Sequence, residues 1–157
     1  MGDAVFRQRN GQMAVGIVAA CGLITPEQLQ GVVAAAGPLG ITGFKLSTRQ
    51  TLIALLPEER VEALREEVKR LGLRVGAFGE VVRNVKACCG TNGFCVRSQA
   101  DAHLLGMALQ DKFMDAPVPK DFKINVAGCH RGCTDPYCAD FGCIGNPAKV
   151  RGGFDVV

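Results

Sequence analysis

At 157 residues, with 48% hydrophobic positions, the chain can bury a core without cross-links, as one domain or two small ones. A formal charge of +3 with no run of Lys or Arg argues against a nucleic-acid partner, and no apolar stretch approaches the length of a bilayer span. The opening MGDAVFRQRNGQ lacks the apolar region of a signal peptide and Phe6 breaks a myristoylation pattern, so a cytoplasmic location without membrane association is expected. Residues 12–20 (QMAVGIVAA) form an apolar run of strand length. Thr25-Pro26-Glu27-Gln28 then carries the signals of a helix start, with Thr25 as the cap, Pro26 in first position and Gln28 completing a capping box. That helix is predicted to run to about Ala36 and to stop at Gly37-Pro38. Residues 41–46 and 51–56 read as strands around Ser47-Thr48-Arg49-Gln50. Pro57-Glu58-Glu59 opens a second helix with Val61, Leu64, Val68 and Leu71 on one face. Gly72 ends it, and residues 73–78 read as a fourth strand. The order β-α-β-β-α-β is the ferredoxin-like split βαβ pattern, placed at residues 1–78.

Residues 79–157 are less regular. A helix is predicted over residues 96–113, with Ala102, Leu105, Leu109 and Phe113 near one face and His103 on its surface. Residues 115–121 (DAPVPKD) read as a loop, and residues 122–127 (FKINVA) alternate like a strand. The following Gly128-Cys129-His130-Arg131-Gly132-Cys133 is too dense in Gly and Cys for a regular element. The expected fold class is α+β, with two domains, 1–78 and 79–157.

Of eight cysteines, six lie from Cys88 to Cys138, Cys143 follows, and Cys21 stands apart. In a reducing compartment such clustering means metal or redox chemistry rather than disulfides. Cys89-x5-Cys95 and Cys129-x3-Cys133 are two close pairs on distant segments, able to converge on one inorganic centre. Iron–sulfur clusters are usually held by four thiolates, and zinc also accepts four. An x5 spacing is wide for a zinc knuckle, and the C-x2-C-x2-C ferredoxin run is absent. The spacing therefore favours a cluster, with zinc and unliganded core cysteines as alternatives. Cys88 is an alternative to Cys89 as the first ligand. Cys138 and Cys143 read as small hydrophobes in the core, with a redox or second-metal role as the alternative, and Cys21 reads as structural.

The surroundings of these pairs carry a resemblance. Residues 83–95 (RNVKACCGTNGFC) and 122–133 (FKINVAGCHRGC) resemble the first and second cluster motifs of the siroheme- and [4Fe–4S]-dependent nitrite/sulfite reductase family. Residues 139–145 (ADFGCIG) resemble the stretch that follows in that family, and residues 45–50 (KLSTRQ) resemble the TxRQ segment of its half-domain. The resemblance implies a [4Fe–4S] cluster on Cys89, Cys95, Cys129 and Cys133 and a siroheme beside it, with Cys133 bridging the two. It implies siroheme contacts from Thr48, Arg49, Gln50, Asn84, Lys120, His130 and Arg131, since a polycarboxylated macrocycle needs cations and N–H donors. Arg83 and Lys123 match residues that hold the anionic substrate. The implied activity is reduction of sulfite or nitrite with electrons from a donor protein such as a ferredoxin. The rival reading is a non-catalytic electron-transfer or siroheme-binding module.

Three departures weaken the cation set. Asp121 stands where active members often place a second Lys, Lys120 being its neighbour, and residues 15–18 (VGIV) lack an Arg that the family often places there. Full-length members combine two half-domains, whereas this chain has room for one, so a homodimer or a partner subunit is expected to complete the pocket.

Overall fold

The computed structural model describes residues 2–90, 93–148 and 152–157. The chain divides into two compact units, Gly2–Phe78 and Gly79–Val157.

The first unit comprises β1 (Gly2–Asp3), β2 (Val5–Arg7), β3 (Met13–Val18), α1 (Pro26–Ala34), α2 (Ala36–Leu39), β4 (Gly43–Leu46), β5 (Thr51–Leu56), α3 (Val61–Arg70), β6 (Arg74–Val75) and β7 (Ala77–Phe78). Strand β3 pairs antiparallel with β5 along its whole length, from Met13 opposite Leu56 to Val18 opposite Thr51, and β4 continues the sheet beyond β5. The other edge of β3 is shared: β2 takes Met13–Val15 and β6 takes Ile17 and Val18. The β6-β3-β5-β4 order is the expected ferredoxin-like arrangement. Its core joins Val15, Ile17, Ala54 and Leu56 of the sheet to Val32 and Leu39 of the first two helices and Val61, Leu64 and Val68 of α3. Each apolar side chain so buried contributes about 1.5–3 kcal/mol relative to exposure.

The capping box is present: the Thr25 hydroxyl accepts from the Gln28 N–H (3.2 Å), and Gln28 Oε1 accepts from the Thr25 N–H (3.1 Å). Gly37-Pro38, expected to end the first helix, lie inside α2 instead. Pro38 falls in that helix's first turn, where a missing N–H costs no intrahelical bond. The single strand predicted at residues 73–78 is two. Gly76 donates to the Gly16 carbonyl (2.8 Å) and accepts from the Ala4 N–H (2.7 Å), so the chain leaves β3 there and β7 pairs with β1.

The second unit comprises β8 (Lys86–Ala87), α4 (Ala102–Phe113), β9 (Ile124–Ala127), β10 (Phe141–Gly145) and β11 (Phe154–Val156). The sheet order is β11-β10-β9-β8, with β8, β9 and β10 mutually parallel and β11 antiparallel to β10. All four residues of β9 are buried, so this strand does not alternate as its sequence suggests. A parallel strand between two neighbours, with both faces covered, has no solvent side to alternate toward. Helix α4 packs against β8 and β9 and begins at Ala102, six residues later than predicted. Asp101 caps it by accepting from the Leu104 N–H (2.9 Å), while the N–H groups of Gln99 and Ala100 are committed to the Gly128 carbonyl (2.8 and 3.1 Å). The buried face of α4 is Ala102, His103, Gly106 and Gln110, so His103 faces inward, against expectation.

Candidate metal centre

The short strand β8 sets Lys86 opposite Asn125 and Ala87 opposite Val126. That parallel register carries Cys88 and Cys89 alongside the point where β9 runs out into Gly128 and Cys129. Three further ties close the two segments on each other. The Cys88 N–H donates to the Val126 carbonyl (3.0 Å), the Gly128 N–H donates to Cys88 Sγ (3.1 Å), and Lys86 Nζ lies 2.9 Å from Asp135 Oδ2. The loop after Cys133 is pinned from beneath. Asn125 Nδ2 donates to the carbonyls of Thr134 (2.7 Å) and Asp135 (3.1 Å), and the Thr134 hydroxyl donates to the Val126 carbonyl (2.9 Å).

Glycine is required where these backbones meet. A Cβ on Gly145 of β10 would stand 2.3 Å from the Gly128 carbonyl oxygen, and a Cβ on Gly128 would stand 2.1 Å from Ser98 Oγ and 2.8 Å from the Ala100 carbonyl oxygen. The second cysteine pair thus starts from a junction of β9, β10 and the segment before α4, closer than any side chain permits.

The outcome is a pocket of about 200 Å³ lined by Cys88, Cys89, Cys95, Cys129 and Cys133 together with Phe94, Arg97 and Arg131. None of these cysteines is in a disulfide. Among the described residues, no three His, Cys, Asp or Glu side chains are grouped tightly enough for a single metal ion. The thiols instead surround a volume, which suits a body of several atoms, and an all-sulfur donor set suits iron–sulfur chemistry. Burial pushes the Cys88 thiol above its ordinary pKa, and the Gly128 and Gly90 N–H groups pull the other way. Cys143 of β10 is buried as expected and its pKa is likewise pushed up by burial, whereas Cys138 is exposed and so is not the core residue expected.

A second group of predicted residues gathers at one place in the same unit. Val82 bridges to Phe122 in parallel, and the Arg83 N–H donates to the Phe122 carbonyl (2.8 Å). This sets Arg83 beside the neighbours of Phe122 in the chain. Asp121 Oδ2 lies 3.7 Å from Arg83 Nη1 and 3.1 Å from Lys123 Nζ. Lys120 Nζ is 3.4 Å from Asp140 Oδ1, and the other oxygen of Asp140 accepts from the Lys123 N–H (2.9 Å). Burial draws the Arg83 guanidinium below its ordinary pKa, with the Asp121 charge opposing. The bond from the Lys123 N–H, chiefly, holds the Asp140 carboxyl below the usual range, against burial, and the Lys120 bond and the charges of Lys120 and Lys123 add to it. Asn84 is buried, while His130 and Arg131 are exposed, Arg131 at the cysteine pocket. Thr48, Arg49 and Gln50 belong to the other unit, in the turn between β4 and β5. There Ser47 Oγ accepts from the Arg49 and Thr51 N–H groups (3.2 and 3.1 Å), and Gln50 takes a left-handed φ of 57°.

The family model for the nitrite and sulphite reductase 4Fe-4S domain matches residues 78–157, and that for the nitrite/sulfite reductase ferredoxin-like half domain matches residues 6–71. The chain belongs to the nitrite and sulphite reductase family. Relatives in it include a coenzyme F420-dependent sulfite reductase of Methanocaldococcus jannaschii, 35% identical over 68% of this chain and 14% of its own length. An assimilatory-type sulfite reductase of Nitratidesulfovibrio vulgaris is 30% identical over 80% of this chain and 56% of its own length. An uncharacterized protein of Methanocaldococcus jannaschii is 30% identical over 77% of this chain and 43% of its own length. The chain therefore spans between about a seventh and somewhat over half of these relatives. The structure of Mycobacterium tuberculosis NirA matches with a TM-score of 0.74 at 26% identity, over 98% of this chain and 29% of that one. Dissimilatory sulfite reductase I matches in fold, with a TM-score of 0.76 at 21% identity, over 86% of this chain and 33% of that one.

Within this 4Fe-4S domain, several residues that build the site carry no motif signal. Gln110 Oε1, on the buried face of α4, accepts from the Val85 N–H (3.1 Å) and so steadies the segment bearing Arg83 and Asn84. Lys86, Asn125, Thr134 and Asp135 clasp the two cysteine segments. Only a buried polar residue on an apolar strand, such as Asn125, hints at such work in the sequence, because it needs a partner.

Proposed function

We propose that this chain is a small siroheme-type sulfite or nitrite reductase, with a [4Fe–4S] cluster on Cys89, Cys95, Cys129 and Cys133. The observation that carries the reading is the convergence of both cysteine pairs on one pocket of about 200 Å³. Cys89 is preferred to Cys88 because it gives the x5 spacing to Cys95. A bound [4Fe–4S] cluster and siroheme would supply the one-electron chemistry that reduction of an oxyanion needs. The chain's own residues do the rest. Cys133 would be the cluster ligand shared with the siroheme, as the resemblance implies, and it lines the cysteine pocket. Asn84, Lys120, His130 and Arg131 would supply donors and charge for siroheme carboxylates, and Thr48, Arg49 and Gln50 of the other unit are proposed as siroheme contacts on the resemblance of residues 45–50 alone. Arg83 and Lys123 are the cations for the oxyanion, and the Gln110 and Asn125 bonds hold their segments still. A second half-domain, from another copy of this chain or from a partner subunit, completes the pocket, and a ferredoxin-like protein donates electrons.

A second reading is favoured by Asp121, whose carboxylate already accompanies Arg83 and Lys123. Under it the chain holds the cluster and passes electrons without turning over an oxyanion.

The test is an anaerobic visible spectrum with iron and acid-labile sulfide assays, followed by reduced methyl viologen with nitrite or sulfite. Cluster iron and sulfide in equal amounts, with the siroheme iron in addition, structured heme bands and oxidation of the dye by either anion are the expected results. Iron and sulfide with heme bands but no turnover would leave the electron-transfer reading, and the absence of iron and sulfide after anaerobic reconstitution would remove both.

A further inference from the structure

The Arg83–Lys123 pair is not purely basic. Asp121 Oδ2 sits within ion-pair distance of both, at 3.7 and 3.1 Å, and the next cation, Lys120, is matched by Asp140 at 3.4 Å. The arrangement is built by backbone: the Val82–Phe122 bridge fixes Arg83 next to Phe122, and Asp121 and Lys123 are the residues on either side of Phe122. Asp140 is held in addition by the Lys123 N–H, from which it accepts. The three groups Arg83, Lys123 and Asp121 together present one net positive charge. An incoming monoanion cancels that charge. A dianion cancels it and leaves an excess negative charge beside the Asp121 carboxylate, where the Arg83 side chain is 16% exposed and those of Asp121 and Lys123 are 39% and 41% exposed.

We propose that Asp121 is the charge-selectivity residue of this site, so that the chain takes a singly charged oxyanion such as nitrite in preference to a doubly charged one such as the sulfite dianion. The proposal rests on the reading of Arg83 and Lys123 as the oxyanion cations.

The experiment uses the cluster- and siroheme-loaded full chain, titrated with sodium nitrite and sodium sulfite at an alkaline pH where sulfite is the dianion. Binding is read from shifts in the heme bands and, independently, by calorimetry. The wild type binds nitrite more tightly than sulfite. Asp121→Asn, nearly isosteric at a side chain 39% exposed, tightens sulfite about tenfold more than it tightens nitrite. Asp121→Glu, which keeps the charge, keeps the wild-type ratio. An unchanged nitrite-to-sulfite ratio in Asp121→Asn, or an equal change in the Asn and Glu variants, overturns the proposal while leaving the reductase reading intact. If neither anion binds to the wild type or to Asp121→Asn by either readout, the oxyanion site itself falls, and the proposal with it.

Discussion

Cys88 and Cys89 are neighbours in the chain and both reach the same pocket, yet their surroundings differ. Cys88 is half-buried, its Sγ accepts from the Gly128 N–H and its own N–H donates to Val126. It therefore ties the two cysteine segments together, whereas Cys89 is exposed at the pocket wall. If Cys89 is the ligand, Cys89→Ala loses most of its iron and sulfide after anaerobic reconstitution. Cys88→Ala, in contrast, keeps full iron but loses it to a chelator roughly tenfold faster, as expected when a supporting group is removed. Iron analysis over a chelation time course checks both, and the reverse pattern would assign the ligand to Cys88. The resemblance raised this choice and the spacing favoured Cys89, but only the fold shows that both thiols line one cavity.

At the scale of elements, the site depends on strands too short to announce themselves. Strand β8 has two residues and lies inside a cysteine motif, so its periodicity is unreadable, yet its register with β9 sets the cysteines together. Strand β10 is marked instead by glycines that admit the Gly128 carbonyl and the Pro136 carbonyl within 2.3 Å of a would-be Cβ at Gly145 and Gly142. Gly145→Ala is expected to destabilise the unit by about 1–3 kcal/mol, because the clash is with backbone and cannot be relieved by a rotamer change. Chemical denaturation monitored by circular dichroism measures it, and a loss below about 0.5 kcal/mol, the usual range of a surface change, would show that the junction is looser than described. The first unit behaves differently. Its capping box and the Val61, Leu64 and Val68 stripe were legible because each is a local pattern with its own period.

For the whole molecule, the four proposed ligands and Cys88 all belong to Gly79–Val157, while Gly2–Phe78 has a core of its own. Binding to the folded state stabilises by mass action, so a cluster on these cysteines supports chiefly the unit that holds them. Removing it anaerobically with a chelator is expected to lower hydrogen-exchange protection at least tenfold in Ile124–Ala127 and Phe141–Gly145. Protection in Met13–Val18 and Thr51–Leu56 is expected to stay within about twofold. Equal losses in both units would mean that the two fold as one cooperative body. No helix among the described residues is long and apolar enough to cross a membrane.

The sequence by itself determined the ferredoxin-like half-domain, the two cysteine pairs and the family to which they point, since helix caps, apolar periods and ligand spacing are local and survive in one dimension. Only the tertiary structure decided that β9 is buried on both faces, that His103 turns inward, and that Gln110 and Asn125 hold the site's backbone. Only it placed the Asp121 carboxylate between Arg83 and Lys123. These features come from pairings between distant segments, where a parallel register or a backbone bridge sets the neighbours. The chain order of the residues concerned carries no trace of those distances.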